Sequence, residues 1–288
     1  MEGHAPSGWI SPSNWCSRID RISHLIPKFS LESSEVLLNE AVSKDIYLMR
    51  LHAPELSREC LPAQFVQVQT DSGLSPFLRR PFSILRTDIG AGWIEIVYDV
   101  IGPGTKRMAK AMAGDRFDLV GPLGNSFHPP ESDRLLLVAG GIGVVPLGFL
   151  MWRYSELCGH TVFLMGSASK DRMPDMTRMV PEGVEILLAT DDGSLGHKGF
   201  VTDLIGDQAI SGRTAIVTCG PHAMMSRVAQ IASDDDIPCF ASLESHMACG
   251  FGACVGCVVE FREWEREDEQ YRRVCIEGPV MDASQIAW

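Results

Sequence analysis

Four of the nine cysteines in this 288-residue chain crowd toward its C-terminal end. Three fall in the stretch ACGFGACVGC, as Cys249, Cys254 and Cys257, and the fourth is Cys275. The pattern is C-x4-C-x2-C, then seventeen residues, then C. Thiolates gathered this way are metal ligands. Zinc takes four thiolates, but its sites usually come as two close pairs. Three clustered ligands and one remote are the plant-type arrangement for a [2Fe–2S] cluster. Gly250, Gly252, Ala253 and Gly256 leave room for a loop to wrap two irons and turn N–H groups toward sulfur. Cys249, Cys254, Cys257 and Cys275 are therefore the candidate iron ligands, with zinc as the competing metal. Cys16, Cys60, Cys158, Cys219 and Cys239 are scattered and read mostly as small buried side chains.

Other residues suit an anionic nucleotide. In LRRPFSIL, Arg80 precedes Ser83 by three positions on an extended segment that Pro81 stiffens. In VIGPGTKRM, Gly104 and Thr105 sit at a turn into a short helix. An arginine with a Gly-Thr turn can clamp a pyrophosphate. An ordinary salt bridge and an N-capping threonine fit the same residues. Farther on, AGGIGVVP runs from an apolar segment into a helical one, with Gly141 and Gly143 at the turn. The pattern stops at Pro146, short of the full G-x-G-x-x-G, so it also suits a packing glycine pair. A second turn, TCGP, holds Cys219, Gly220 and Pro221.

The elements that must position these groups fall into two regimes. From about 34 to 130, short apolar runs alternate with Gly/Pro turns such as DSGLSP, IGPG and GPLGN. WIEIVYDV alternates Ile94, Ile96, Tyr98 and Val100 against Glu95, Val97 and Asp99, which predicts a half-buried strand. An antiparallel β-barrel or sandwich is expected there. From about 134, RLLLVAGG, TVFLMGS, VEILLAT and TAIVTCGP recur as continuous apolar runs, with helix-length segments between them. That is the rhythm of a doubly wound parallel sheet, which binds ligands at glycine turns beyond its strand ends.

Composition excludes several classes. A net charge of −12 does not suit a general nucleic-acid binder. No apolar run reaches the roughly 18–20 residues of a membrane-spanning helix, and the first twenty residues lack the features of a secretory signal. A cytoplasmic location is expected, where disulfides are rare. No nucleophile–base constellation stands out, so no catalytic acid or base is assigned.

With these residues in view, the chain resembles the ferredoxin reductase superfamily. RPFS is similar to its flavin motif, GPGT to its second FAD-phosphate motif, and GGIGVVP and CGP to its nicotinamide-side motifs. More narrowly, GPLGNSF, LLLVAGGIGVVPL, ATDDGSLGHKGFVTDLI, SLESHMACGFGACVGC and CIEGPVMDASQIAW resemble the electron-transfer subunits of NAD-dependent, class 1B dihydroorotate dehydrogenases over about 35–288. The resemblance implies FAD held by Arg80, Pro81, Phe82, Ser83, Gly104 and Thr105. It implies NAD at Gly141, Gly143, Cys219, Gly220 and Pro221. It further implies a partner, the FMN-containing catalytic subunit that oxidises dihydroorotate in pyrimidine biosynthesis, in a heterotetramer of two of each. Electrons would pass from that subunit through the [2Fe–2S] cluster and FAD to NAD+.

The expected organisation is thus β + α/β. An N-terminal extension of unassigned role covers 1–33 and an FAD-binding antiparallel β-barrel 34–131. A NAD-binding α/β domain covers 132–238, and a small C-terminal [2Fe–2S] segment 239–288. Two departures stand out. Residues 1–33 match nothing in the resemblance, and EFREWEREDEQYRR, between the third and fourth cysteines, is long and charged and reads as a solvated hairpin tip. Lys170 and Arg172 follow the second apolar run of the nucleotide domain, where a 2′-phosphate would be held, which leaves NADP open. Competing readings are the flavin–iron subunit of another complex, of sulfhydrogenase or ferredoxin-dependent NADP reductase type, and a zinc-binding partner-recognition protein.

Overall fold

The computed structural model describes residues 29–288 except 72, 74, 131, 207, 209–213, 265–269 and the side chain at 158. Nearly all of the N-terminal extension therefore lies outside the described residues, as do Cys16 and the Cys158 side chain.

Six strands close a barrel: β1 (Ser30–Ser43), β2 (Ile46–His52), β3 (Phe65–Gln69), β4 (Arg80–Asp88), β5 (Trp93–Asp99) and β6 (Arg116–Leu123). Their order around the barrel is β1-β2-β5-β4-β3-β6, every pair antiparallel. Two short helices, α1 (Pro54–Glu59) and α2 (Pro103–Met108), interrupt the strands, each with a proline in its first turn. Val36, Met49, Leu51, Val66, Val68, Ile84, Ile94, Ile96 and Leu119 fill the interior.

The alternation in β5 predicts one wet face, and the structure differs. Residues Ile94 to Tyr98 are all buried. Ile94, Ile96 and Tyr98 point into the barrel, while Val97 packs against the second domain. Glu95 is buried outright because Arg50, at 2.7 Å, and Arg86 both bond its carboxylate. Charge neutralisation lets a polar position read from sequence as solvent-facing become an internal one. Arg86 also lies over the Trp152 ring of the second domain, 4.7 Å from its centroid, so the same cluster helps join the two.

The second domain is a seven-stranded sheet. It contains β7 (Arg134–Gly140), β8 (Thr161–Ser167), β9 (Glu185–Thr190), β10 (His197–Lys198), β11 (Thr214–Cys219), β12 (Cys239–Ser242) and, after a hairpin, β15 (Val280–Asp282). The order is β10-β9-β8-β7-β11-β12-β15, parallel throughout except for β15. The four apolar runs are β7, β8, β9 and β11. Both faces of β7 are covered, Leu136 and Val138 on one side, Leu135, Leu137 and Ala139 on the other, and this makes the run continuous. The connections carry less helix than the rhythm suggests. α3 (Val144–Arg153) and α5 (His222–Asp234) are full helices, but α4 (Met176–Met179) is a single turn. Pro174 and Pro181 bracket that turn and limit it. Phe149 of α3 is buried among the side chains of the barrel core, so the domains share a core at that point.

The stretch from 239 begins and ends inside this sheet, as β12 and β15. Between them, β13 (Val258–Glu260) and β14 (Tyr271–Arg273) form an antiparallel hairpin. The charged run begins and ends on those two strands, and residues 265–269 lie outside the described residues. Among the described residues no helix is long and apolar enough to cross a membrane.

Candidate functional site

The hairpin explains how a remote cysteine joins three close ones. Val258 pairs with Arg273, and the Val274 N–H donates to the Cys257 carbonyl at 2.8 Å. Cys257 and Cys275 therefore meet across the hairpin base, with the Cys275 N–H 3.4 Å from Cys257 Sγ. Cys249 and Cys254 form a second pair, in which the Cys254 N–H lies 3.4 Å from Cys249 Sγ. The sulfurs are thus grouped two and two. Among the described residues no three His, Cys, Asp or Glu side chains converge on a position for a single ion. These four thiols would hold a [2Fe–2S] cluster, which takes four thiolates.

Two of the four thiols, Cys249 and Cys257, are held below their usual range. The Cys257 thiol is held below its usual range, first by the Cys275 side chain that hydrogen-bonds to it. Cys275 is pushed up in return. Burial works against ionising Cys249, but the N–H groups of Cys254, Phe251 and Ala253 converge on its sulfur and prevail. Gly250 has φ +79° and is packed so closely against Gln67 of β3 that a Cβ there would lie 2.6 Å from the Gln67 amide nitrogen. Between the two pairs Val255 has φ +53°. A β-branched residue rarely adopts that conformation, so the turn stores strain that ligation of its neighbours would hold.

A cleft of about 610 Å³ opens between barrel and sheet. All six barrel positions singled out from sequence line it: Arg80, Pro81, Phe82 and Ser83 from β4, Gly104 and Thr105 from α2. Among the described residues Arg80 bonds only the carbonyls of Leu78, at 2.6 Å, and Arg79, at 3.2 Å, and no carboxylate pairs with it. Thr105 Oγ1 accepts from the Ile101 and Gly102 N–H groups, so it also caps its own helix. The Tyr98 hydroxyl donates to Asn39 at 2.8 Å, and the Asn39 amide donates to the carbonyls of Met108 and Ala111. This chain of bonds fixes α2, and with it Gly104 and Thr105, against β5. Burial pushes the Tyr98 hydroxyl up, which keeps it a neutral donor.

The five nicotinamide-side candidates lie where the strand order reverses, between the parallel neighbours β7 and β11. Cys219 lines the first cleft, while Gly141 and Pro221 line a second cavity of about 740 Å³ beside it. Gly143 and Gly220 line neither. They let the two turns touch, since a Cβ on Gly143 would fall 2.2 Å from the Cys219 carbonyl oxygen. Burial pushes the Cys219 thiol up, with Glu244 adding to the effect. Arg172 faces the second cavity but is tied to Asp99 and to the Lys44 carbonyl, at 3.0 Å, across the domain boundary.

Comparison with known proteins joins these parts. Residues 244–287 match the family described as the iron-sulfur cluster binding domain of dihydroorotate dehydrogenase B. Over 88% of its length the chain is 35% identical to the dihydroorotate dehydrogenase B (NAD(+)) electron transfer subunit of Desulforamulus reducens, 97% of which is covered. This chain belongs to that family of electron transfer subunits. Among solved structures, a chain of an NADH-dependent reduced ferredoxin-NADP oxidoreductase superposes with a TM-score of 0.79 at 26% identity, covering 88% of this chain and 90% of that one. A ferredoxin NADP+ reductase from Neisseria gonorrhoeae gives 0.60 at 17%, covering 71% and 91%, and shares the fold.

For an electron transfer subunit of dihydroorotate dehydrogenase B, the sequence reading left out several residues that face the clefts. Tyr98 and the stretch from Ser242 to Met247 line the first cavity. Glu244 stands there, its carboxyl raised by desolvation within the cleft. Arg227 of α5 lines the second cavity. The signal for 242–247 was the end of the run CFAS. β12 neighbours β11, so the residues just beyond it open onto the same edge of the sheet.

Proposed function

We propose that this subunit takes electrons from an FMN-containing catalytic subunit that oxidises dihydroorotate and passes them to NAD+, in a cytoplasmic complex of two of each. The observation that carries the reading is the pairs Cys249/Cys254 and Cys257/Cys275, on a loop that meets Gln67 of the barrel at Gly250. FAD, when bound, exchanges a hydride with NAD(H) and single electrons with a [2Fe–2S] cluster. Arg80 supplies the positive charge for the flavin pyrophosphate, with Gly104 and Thr105 against the same group. Pro81, Phe82, Ser83 and Tyr98 hold the ring system. Gly141 and Pro221 line the nicotinamide side, Gly143 and Gly220 let the turns close, and Cys219 lines the flavin cleft where the two turns meet.

Two further observations support details. Arg172 is tied to barrel acids, which takes it away from a 2′-phosphate and favours NAD over NADP. Phe251, Val255 and Val258 are exposed around the cysteines, which gives the catalytic subunit an apolar surface close to the cluster.

Visible spectroscopy with iron and flavin analysis on anaerobically purified protein tests the reading. A brown-yellow protein with FAD and two irons per chain is expected. Cys257→Ser should lose the iron and keep the FAD. A colourless protein carrying zinc, or a variant with unchanged iron, would overturn the assignment.

A further inference from the structure

Gln67 is fully buried, yet among the described residues neither atom of its side-chain amide has a hydrogen-bond partner. Such an amide costs free energy that a native fold rarely leaves uncompensated. Its position says what would compensate it. Val66 and Val68 point into the barrel, so Gln67 points outward, on the same face of β3 as Phe65. Phe65 both lines the first cleft and packs in the core group that contains Cys257 and Cys275. The outer face of β3 is therefore the wall between cleft and cysteine loop. Gln67 meets the loop at Gly250, where a Cβ would lie 2.6 Å from its Nε2 and 2.7 Å from its Cγ. Gly250 directly follows Cys249. The absent side chain at 250 is what lets the amide pack against the backbone next to Cys249.

We propose that Gln67 donates a hydrogen bond from its amide to a sulfur of the bound [2Fe–2S] cluster at the Cys249 end, and so sets the cluster's reduction potential. The inference rests on the four-cysteine assignment above. Donors to cluster sulfurs stabilise the more negative, reduced state and raise the potential. The barrel thereby tunes a cofactor whose ligands all come from the C-terminal segment.

Redox titration followed by EPR, on the full chain loaded with FAD and cluster, tests this in the parent and in Gln67→Leu. The variant should keep its FAD and its rate of NADH-to-dye reduction. Its cluster should become harder to reduce by about tenfold in the ratio of reduced to oxidised form at a fixed potential, about 59 mV for one electron. The flavin potential should stay put. A second measurement does not depend on how the variant folds. Parent protein labelled with ¹⁵N in glutamine side chains should show a ¹⁵N coupling in the pulsed EPR spectrum of the reduced cluster. Absence of that coupling overturns the proposal, as does a cluster potential equal in both proteins or a shift confined to the flavin. A parent without a cluster signal would instead reject the ligand assignment itself.

Discussion

Arg80 illustrates how a residue's unmet bonding capacity exposes its task. A guanidinium has five donors, and here the bonds run to two carbonyls of its own strand approach, Leu78 and Arg79. The group is oriented by these bonds and its charge is left for a ligand. Arg80→Ala should weaken FAD binding by about 1.5–3 kcal/mol, roughly tenfold to hundredfold. Flavin occupancy after exhaustive dialysis reads this directly, and equal occupancy in both proteins would remove Arg80 from the flavin site. Thr105 shows the opposite case. Its hydroxyl is engaged by Ile101 and Gly102, so its main contribution is to the shape of the turn.

At the scale of elements, the glycine turns act as a pair. The turn after β7 and the turn after β11 press together at Gly143 and the Cys219 carbonyl, and one methyl group does not fit between them. Gly143→Ala should force the turns apart and move Cys219 and Gly141, which face different cavities. The expected result is a loss of about 1–3 kcal/mol in stability, together with weaker NADH binding by titration of the bound flavin. An unchanged unfolding midpoint and unchanged NADH affinity would show that the turn yields freely. The hairpin of β13 and β14 is a second paired device. It carries the chain out and back and returns it with Cys275 beside Cys257, so the number of intervening residues does not set the ligand geometry.

The whole molecule divides its labour by surfaces. The chain carries two cavities beside the sheet and a cysteine loop against the barrel, and among the described residues no nucleophile–base pair for pyrimidine chemistry stands out. The purified chain should oxidise NADH with an artificial acceptor. Dihydroorotate:NAD+ activity should appear only when the FMN-bearing subunit is added. Dihydroorotate oxidation by the chain alone would refute the division. Truncation after Cys257 is a poor probe of the cluster's part in this, because it removes β15 and the buried Val274, Met281 and Ile286. Cys257→Ser interrupts the coupled reaction without dismantling the sheet.

The sequence by itself determined the chemistry: the spacing of four cysteines, the RPFS and GPGT segments, and the apolar runs that become β7, β8, β9 and β11. These are local patterns, set by ligand geometry and by strands buried on both faces. It also contained GPLGNSF and EGPV without saying that they touch. Only the tertiary structure shows the Asn125 amide donating to the carbonyls of Glu277 and Val280, which pins the cysteine segment to the end of the barrel. The same holds for Glu95, polar in the pattern yet buried by two arginines, and for Gln67, ordinary in its strand until Gly250 arrives from about 180 positions away. Whether a polar side chain is solvated, neutralised or waiting for a ligand depends on what packs over it, and that is decided by contacts between segments far apart in the chain.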